Sequence, residues 1–384
     1  VKLQRNGRTK ALAIGALAVV SSLTLAACGS DNNTTTSGSG SAAPSSTTSA
    51  ASADCKGATG QLLGAGSTAQ ANAMTQWVKD FQAKCSGVQI NYQATGSGAG
   101  ITAFESGKVS FAGSDAALKD ADIAKTASVC TGGGKGIDLP MIGGPIAISY
   151  NLPGVTGLVL DAPTLAQIFT GKITNWNDAA IKKLNPSAQL PNLPIQTFHR
   201  SDGSGTTANF TAYLAAAAPK DYTLSPNKLW QAPGGQAAAG SSGLAAQVKQ
   251  VKGSISYFEL SYATQGNLAT ASIATGASAP VAVSTDAASK AVADAQFAKP
   301  GTPDLALKLG GAYTTKSDGA YPIVLVTYEI ACDKGNKADS LPTLKAFLNY
   351  ISSDAGQSSV TGLGYFPLPA NLATQVKTQI AALA

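Results

Sequence analysis

Histidine is almost missing from this chain: among 384 residues only His199 carries an imidazole, and Asp, Glu, Lys and Arg together make up 12%. One imidazole excludes His-rich metal centres and leaves poor material for a Ser-His-Asp triad. Cysteine is scarce as well, with five residues and no C-x-x-C pair, so a zinc site of the usual kind is not expected. There is no G-x-S-x-G elbow and no G-K-[ST] Walker loop, and Gly96-x-Gly98-x-Gly100 lacks the spacing of a dinucleotide fingerprint. A basic excess is lacking too. The formal charge is +6, but Lys2, Arg5, Arg8 and Lys10 precede every acid, and without those four the remainder carries only +2. That is too little to neutralise a row of phosphates, so a nucleic-acid partner is not expected. What the chain does have is length and 44% apolar residues, enough for two ordinary domains with buried cores.

The early cations precede an apolar run from Ala11 to Val20 that continues into Leu23-Thr24-Leu25-Ala26-Ala27-Cys28. The run is short for a bilayer span and has the shape of an export signal. Leu25-Ala26-Ala27-Cys28 resembles a bacterial lipobox, which implies a signal over 1–27 and lipid on Cys28. Residues 28–54 would be a tether: from Gly29 to Asp54 they are almost all Ser, Thr, Gly, Ala and Asn, too polar to fold, with a reach of roughly 25–30 Å. The folded part would then stand at the outer face of the cell membrane, anchored and not embedded.

Export implies an oxidising compartment, where Cys55, Cys85, Cys130 and Cys332 can form two disulfides in any of three connectivities. Cys55 precedes the first expected strand and Cys85 closes the helix packed on it, which favours 55–85 and leaves 130–332. The patterning is α/β. Strands are expected at 61–63, 88–92, 109–112, 146–150, 195–198, 254–257 and 323–330. Helices are expected at 70–84, 164–169, 178–184, 208–217, 244–251, 287–295, 341–351 and 372–382.

Three strand-to-helix junctions share one chemistry. Gly64-Ala65-Gly66-Ser67-Thr68-Ala69, Thr95-Gly96-Ser97-Gly98-Ala99-Gly100 and Asp202-Gly203-Ser204-Gly205-Thr206 each set a hydroxyl beside glycine where a helix begins. Such a start has unpaired N–H groups and about half a positive charge; glycine lets an anion approach and the hydroxyl adds a donor. Any one of these loops is equally ordinary capping and turn chemistry. Together they describe a site that binds an oxyanion with neutral dipoles, which suits a chain of low net charge.

At this level of detail "GAGST" (64–68), "TGSGAG" (95–100), "GSDAAL" (113–118), "NLPGV" (151–155), "LAQIFTGKITNWND" (165–178) and "HRSDGSGTT" (199–207) resemble the phosphate-binding proteins of bacterial phosphate ABC importers, in their actinobacterial lipoprotein form. The likeness runs from Lys56 to the C-terminus. It implies a two-lobed periplasmic-binding-protein fold of type II, two α/β lobes joined by two hinge strands, with phosphate held in the cleft between them. Lobe I would be 55–143 plus 321–384 and lobe II 144–320, with crossings at Gly143-Gly144-Pro145 and Tyr321-Pro322. It also implies a monomer that delivers inorganic phosphate to membrane permease subunits, with no cofactor and no catalysis.

Carried over residue by residue, the resemblance puts phosphate contacts at Ser67, Thr68, Ala69, Ser97, Asp115, Arg200, Ser204, Gly205 and Thr206, with Asp202 holding the Arg200 guanidinium. Ala69 departs from the aromatic residue many members carry, which matters little if that contact is through backbone N–H. Gly234 to Gly243, "GGQAAAGSSG", departs from the family's polar loop, and its role is open. An ionised Asp115 would accept a P–O–H proton, whereas sulfate has none to give, so the same carboxylate would reject sulfate as an unpaired like charge. The alternative for Asp115 is a cap on a helix over 116–124. The alternatives for the whole are another oxyanion such as sulfate, or an extracytoplasmic phosphatase with Ser204 as nucleophile.

Overall fold

A computed structural model describes residues 54–384. The expected signal over 1–27, lipid-bearing Cys28 and the tether as far as residue 53 lie outside the described residues.

A ten-stranded sheet organises the chain in the order Val88–Gln93, Gly60–Gly66, Phe111–Ser114, Val324–Cys332, Gly136–Tyr150, Ser254–Glu259, Gln196–Arg200 and Gln236–Ala238, with two short strands added on Gly136–Tyr150. Pairing is parallel towards both ends and antiparallel through the middle. This is the expected two-lobed α/β fold, in which each parallel end is a wing of strands followed by helices. The strand Gly136–Tyr150 belongs to both wings: Gly136 to Pro145 pair with Val324–Cys332, and Ile146 to Tyr150 pair with Ser254–Glu259.

Only the second half of that strand, 146–150, was expected. Its first half holds Pro140, Gly143, Gly144 and Pro145, all turn residues by composition. Pro140 is accommodated where the ladder slips between Thr327 and Tyr328, the kind of irregularity at which a strand tolerates proline. Gly143 is required by packing, because a Cβ there would lie 2.1 Å from the Phe366 ring. All fifteen residues of the strand are buried, so no alternation of polar and apolar residues marks it.

The helix Ala71–Lys84 buries Ala73, Met74, Trp77 and Phe81 at helical spacing, while Val78 is only partly covered. Phe81 meets Phe347 edge-on at 5.4 Å, and the Trp77 indole donates to the Gly356 carbonyl at 2.7 Å. In the other wing Phe210 stacks on Tyr257 at 4.3 Å and Phe169 packs edge-on against Phe210 at 5.0 Å. Each such buried aromatic contributes about 2–3 kcal/mol from area alone.

Other boundaries moved towards the loops. The helix expected from 208 starts at Gly205, with Ser204 as its N-cap accepting from Thr207 N–H. A helix Ser97–Glu105 begins inside the second loop, with Gly96 at its N-cap. The helix after Asp115 begins only at Asp120, so Asp115 does not cap it. Among the described residues no helix is long and apolar enough to cross a membrane.

Cys55 pairs with Cys85 and Cys130 with Cys332, across 30 and 202 residues, as the favoured connectivity has it. Loop closure assigns these bridges roughly 3–5 kcal/mol each, more for the longer. Reducing both is therefore expected to lower the thermal midpoint markedly in scanning calorimetry. An unchanged midpoint with all four thiols shown free by alkylation would contradict this.

Candidate functional site

The three glycine-hydroxyl loops meet at one place. Gly98 N–H donates to the Gly203 carbonyl at 2.8 Å, and Gly96 N–H to the Gly66 carbonyl at 2.7 Å. Ser97 Oγ accepts from Gly205 N–H at 3.1 Å, joining the second entrance to the third. Glycine is needed for this approach: a Cβ on Gly205 would lie 2.6 Å from Asp115, and one on Gly96, whose φ is +96°, 2.2 Å from Asp202. Ser67, Thr68, Ala69, Ser97, Asp115, Arg200, Ser204, Gly205 and Thr206 are all buried here.

Asp115 sits at the centre. Ser67 Oγ donates to its Oδ1 at 2.5 Å and Ser97 Oγ to its Oδ2 at 3.1 Å. Burial, and then the negative charge of Glu259, push its carboxyl up to about 7; the two serine hydroxyls and Arg200 pull the other way without cancelling that rise. The carboxyl expected to act as an ionised acceptor is thus a group that titrates near neutrality.

Arg200 and Asp202 form the expected fork. Arg200 Nε donates to Oδ1 at 2.7 Å and Nη2 to Oδ2. Burial opposes ionisation of Asp202, but the hydrogen bonds and charge of Arg200 outweigh it and hold the carboxyl below its usual range. Gly240 N–H adds a 3.0 Å bond to Asp202 Oδ1. The guanidinium is left with Nη1 directed to Ser241 Oγ at 3.3 Å.

That contact gives the 234–243 loop its place. Ser241 is fully buried in the first turn of the helix Gly240–Gln250 and lies 3.0 Å from Thr68 Oγ1, making a fourth helix entrance. Its signal was visible in Gly240-Ser241-Ser242-Gly243, the same glycine-hydroxyl pattern, but the strand before it has only three residues and went unread. Glu259 was missed for a different reason: one acid in Ser254–Glu259 reads as a solvent-facing position, yet it is 1% exposed and accepts from Thr206 Oγ1 at 2.6 Å.

Smaller contacts fix the first loop. Tyr262 Oη donates to the Thr68 carbonyl at 2.7 Å and Tyr365 Oη to the Ala69 carbonyl at 2.6 Å. The Ala69 N–H, expected to face an anion, donates to Ser67 Oγ at 3.0 Å. His199, next to Arg200 but on the opposite face of the strand, stacks on Trp230 at 5.2 Å, and its Nδ1 lies 3.1 Å from the Arg200 carbonyl. Among the described residues no group of three His, Cys, Asp or Glu is placed to hold a metal ion.

The site therefore offers helix-start N–H groups, several hydroxyls, one guanidinium and two buried acids. This donor set suits a small oxyanion, and the acids suit one that carries protons.

Residues 41–355 match the family described as the PBP superfamily domain. The chain is 42% identical over 385 residues to the phosphate-binding protein PstS 3 of Mycobacterium tuberculosis H37Rv, covering 100% of both chains. It is 33% identical to the phosphate-binding protein PstS of Xylella fastidiosa, over 83% of this chain and 84% of that one. Among solved structures, the phosphate-binding protein from Stenotrophomonas maltophilia superposes with a TM-score of 0.64 at 20% identity, over 83% of this chain and 93% of that one, a likeness of fold. Matched over most of its length by the family and over all of it by a relative at 42% identity, the chain belongs to the phosphate-binding proteins of the PBP superfamily.

Proposed function

We propose that this protein captures inorganic phosphate outside the cytoplasm and delivers it to the permease of a phosphate ABC importer. The observation that carries this reading is the buried meeting of four helix entrances, in which Ser67 and Ser97 donate to Asp115, Gly205 N–H donates to Ser97 Oγ and Arg200 donates to Ser241 Oγ. The relatives named above as phosphate-binding proteins support it.

In this reading Ser67, Thr68, Ala69, Ser97, Ser204, Gly205 and Thr206 surround the anion, Arg200 supplies the positive charge, Asp202 aims it, and Asp115 takes a P–O–H proton. Ser204 Oγ accepts from Thr207 N–H at 3.1 Å and so keeps its own proton to donate. Lobe I comprises 55–143 plus 321–384 and lobe II 144–320. The change of strand partner between Pro145 and Ile146 supports a crossing there.

A hydrolase is the weaker reading, because the only imidazole is occupied by Trp230 and the Arg200 carbonyl and is not paired with Ser204. No turnover of a chromogenic phosphate ester is expected, and turnover abolished by Ser204→Ala would reverse the assignment. Cys28 carries the lipid that holds the protein to the outer face of the membrane. Cys28→Ser is expected to release it or leave it unprocessed, with phosphate affinity unchanged; processed, membrane-retained Cys28→Ser protein in cell fractionation would contradict the anchor.

A further inference from the structure

We propose that Lys228 and Asp122 form a latch across the mouth of the cleft, which makes Lys228 a positioning residue that slows the escape of bound phosphate; this rests on the phosphate reading and the lobe limits given above.

Both ends of the latch are fixed. Residues 227–230 lie outside helix and strand, yet they are tied to lobe II. Ser204 N–H donates to the Lys228 carbonyl at 2.9 Å, Asn227 N–H donates to Thr211 Oγ1 at 3.2 Å, and Trp230 stacks on His199. Lys228 is thereby bound through its backbone to the N-cap of the helix Gly205–Ala217. Its side chain leaves that lobe: Nζ lies 3.6 Å from Oδ2 of Asp122, in the helix Asp120–Thr126 of lobe I. Asp122 is held in turn. Lys119 N–H donates to its Oδ2 at 3.4 Å, and Lys125 Nζ lies 3.6 Å from its Oδ1 and 3.6 Å from Glu105 Oε1. With both ends already ordered, the pair forms at little cost in side-chain freedom.

The side chains of Lys228 and Asp122 are only 18% and 16% exposed, so salt screens them less than a pair in open solvent. Both line a groove of about 550 Å³ beside the Gly98–Gly203 contact. Among the described residues one other ion pair joins the lobes, Lys299 with Asp120, and there Asp120 is 92% exposed. A phosphate enclosed between the lobes leaves only when they part. Parting them breaks the Gly98–Gly203 and Ser97–Gly205 bonds, made by the loops that surround the anion, and also Lys228–Asp122, made by side chains outside that shell. Lys228 is therefore a place where release can change while the contacts to the anion are kept.

Loading the purified protein with radiolabelled phosphate and chasing with excess unlabelled phosphate reads the release rate. Lys228→Ala and Asp122→Asn are each expected to speed release about three- to tenfold, and the double variant no more than either alone. Lys228→Arg and Asp120→Asn, which keep the latch, are expected to stay within about twofold of the parent. The two disabling variants change charge in opposite senses. A simple effect on the field felt by the anion would shift their rates in opposite directions, whereas a latch shifts them together. The parent supplies a test that needs no variant to fold: raising salt from about 0.05 to about 1 M should speed its release several-fold.

Opposite shifts, additive effects in the double variant, release at the parent's rate in both single variants, or release from the parent that ignores salt would each overturn the latch and leave the phosphate reading intact. A parent that binds no phosphate overturns both.

Discussion

Asp115→Asn is expected to admit sulfate. In the parent at about pH 8 the ionised carboxylate faces any bound oxyanion, and only an anion with a proton can satisfy it. For sulfate the same group is a buried, unpaired like charge, worth roughly 2–4 kcal/mol, so its removal should tighten sulfate binding roughly 30- to 1000-fold. Phosphate should change by no more than about tenfold, because the amide still accepts and donates.

The position of the Asp115 titration adds a test in the parent itself. With the carboxyl pushed up to about 7, protonated Asp115 becomes a donor. Sulfate affinity should therefore level off below that pH and fall about tenfold per unit above it. In Asp115→Asn that dependence should vanish, and a sulfate profile equally steep in the variant would exclude Asp115 as its origin.

The same shift sets a stability profile without ligand. A carboxyl whose native value lies above its ordinary one keeps its proton in the folded state while the unfolded chain has lost it. Stability should then decline as pH rises from about 4 to about 7, by a few kcal/mol at most from this group. Asp115→Asn should be more stable than the parent at about pH 8, with a smaller difference at acid pH, as read by thermal denaturation.

Arg200→Ala is expected to weaken phosphate and sulfate together, by roughly a hundredfold to several thousandfold. Arg200 is 2% exposed and is the only buried cation of the site. Removing one member of a buried, hydrogen-bonded pair costs about 3–5 kcal/mol. Asp202 would lose both of its guanidinium bonds and Ser241 its Nη1 contact, and the site would keep Asp115 and Glu259 with no opposing charge. Arg200→Lys should recover part of the loss, since an ammonium restores charge without the planar fork that spans Asp202 and the site. Calorimetric titration with both anions checks this; loss of one anion with retention of the other would show that Arg200 does not act as the common charge.

The loops of this site were legible because close backbone approach leaves a local record: Gly96 and Gly205 stand beside hydroxyls and before helices, whatever the rest of the chain does. Arg200 and Asp202 were legible as a pair two residues apart, on a strand end that turns back. Glu259 was not, since nothing near it in sequence reports that Thr206, 53 residues earlier, would face it. Ser241 carried the right pattern but lacked a readable strand before it. The first half of Gly136–Tyr150 was hidden because prolines and glycines that usually break a strand are accommodated here by a slip in the ladder and by the Phe366 ring. The raised titration of Asp115 was beyond any local reading, because it comes from burial and from an acid brought in by tertiary structure.

The most direct test of phosphate capture through a proton-reading carboxyl is a paired calorimetric titration of the purified protein with phosphate and sulfate at about pH 8 and fixed salt. The expected result is a one-to-one phosphate complex, with sulfate weaker by at least about a hundredfold. Sulfate binding within about tenfold of phosphate would contradict it.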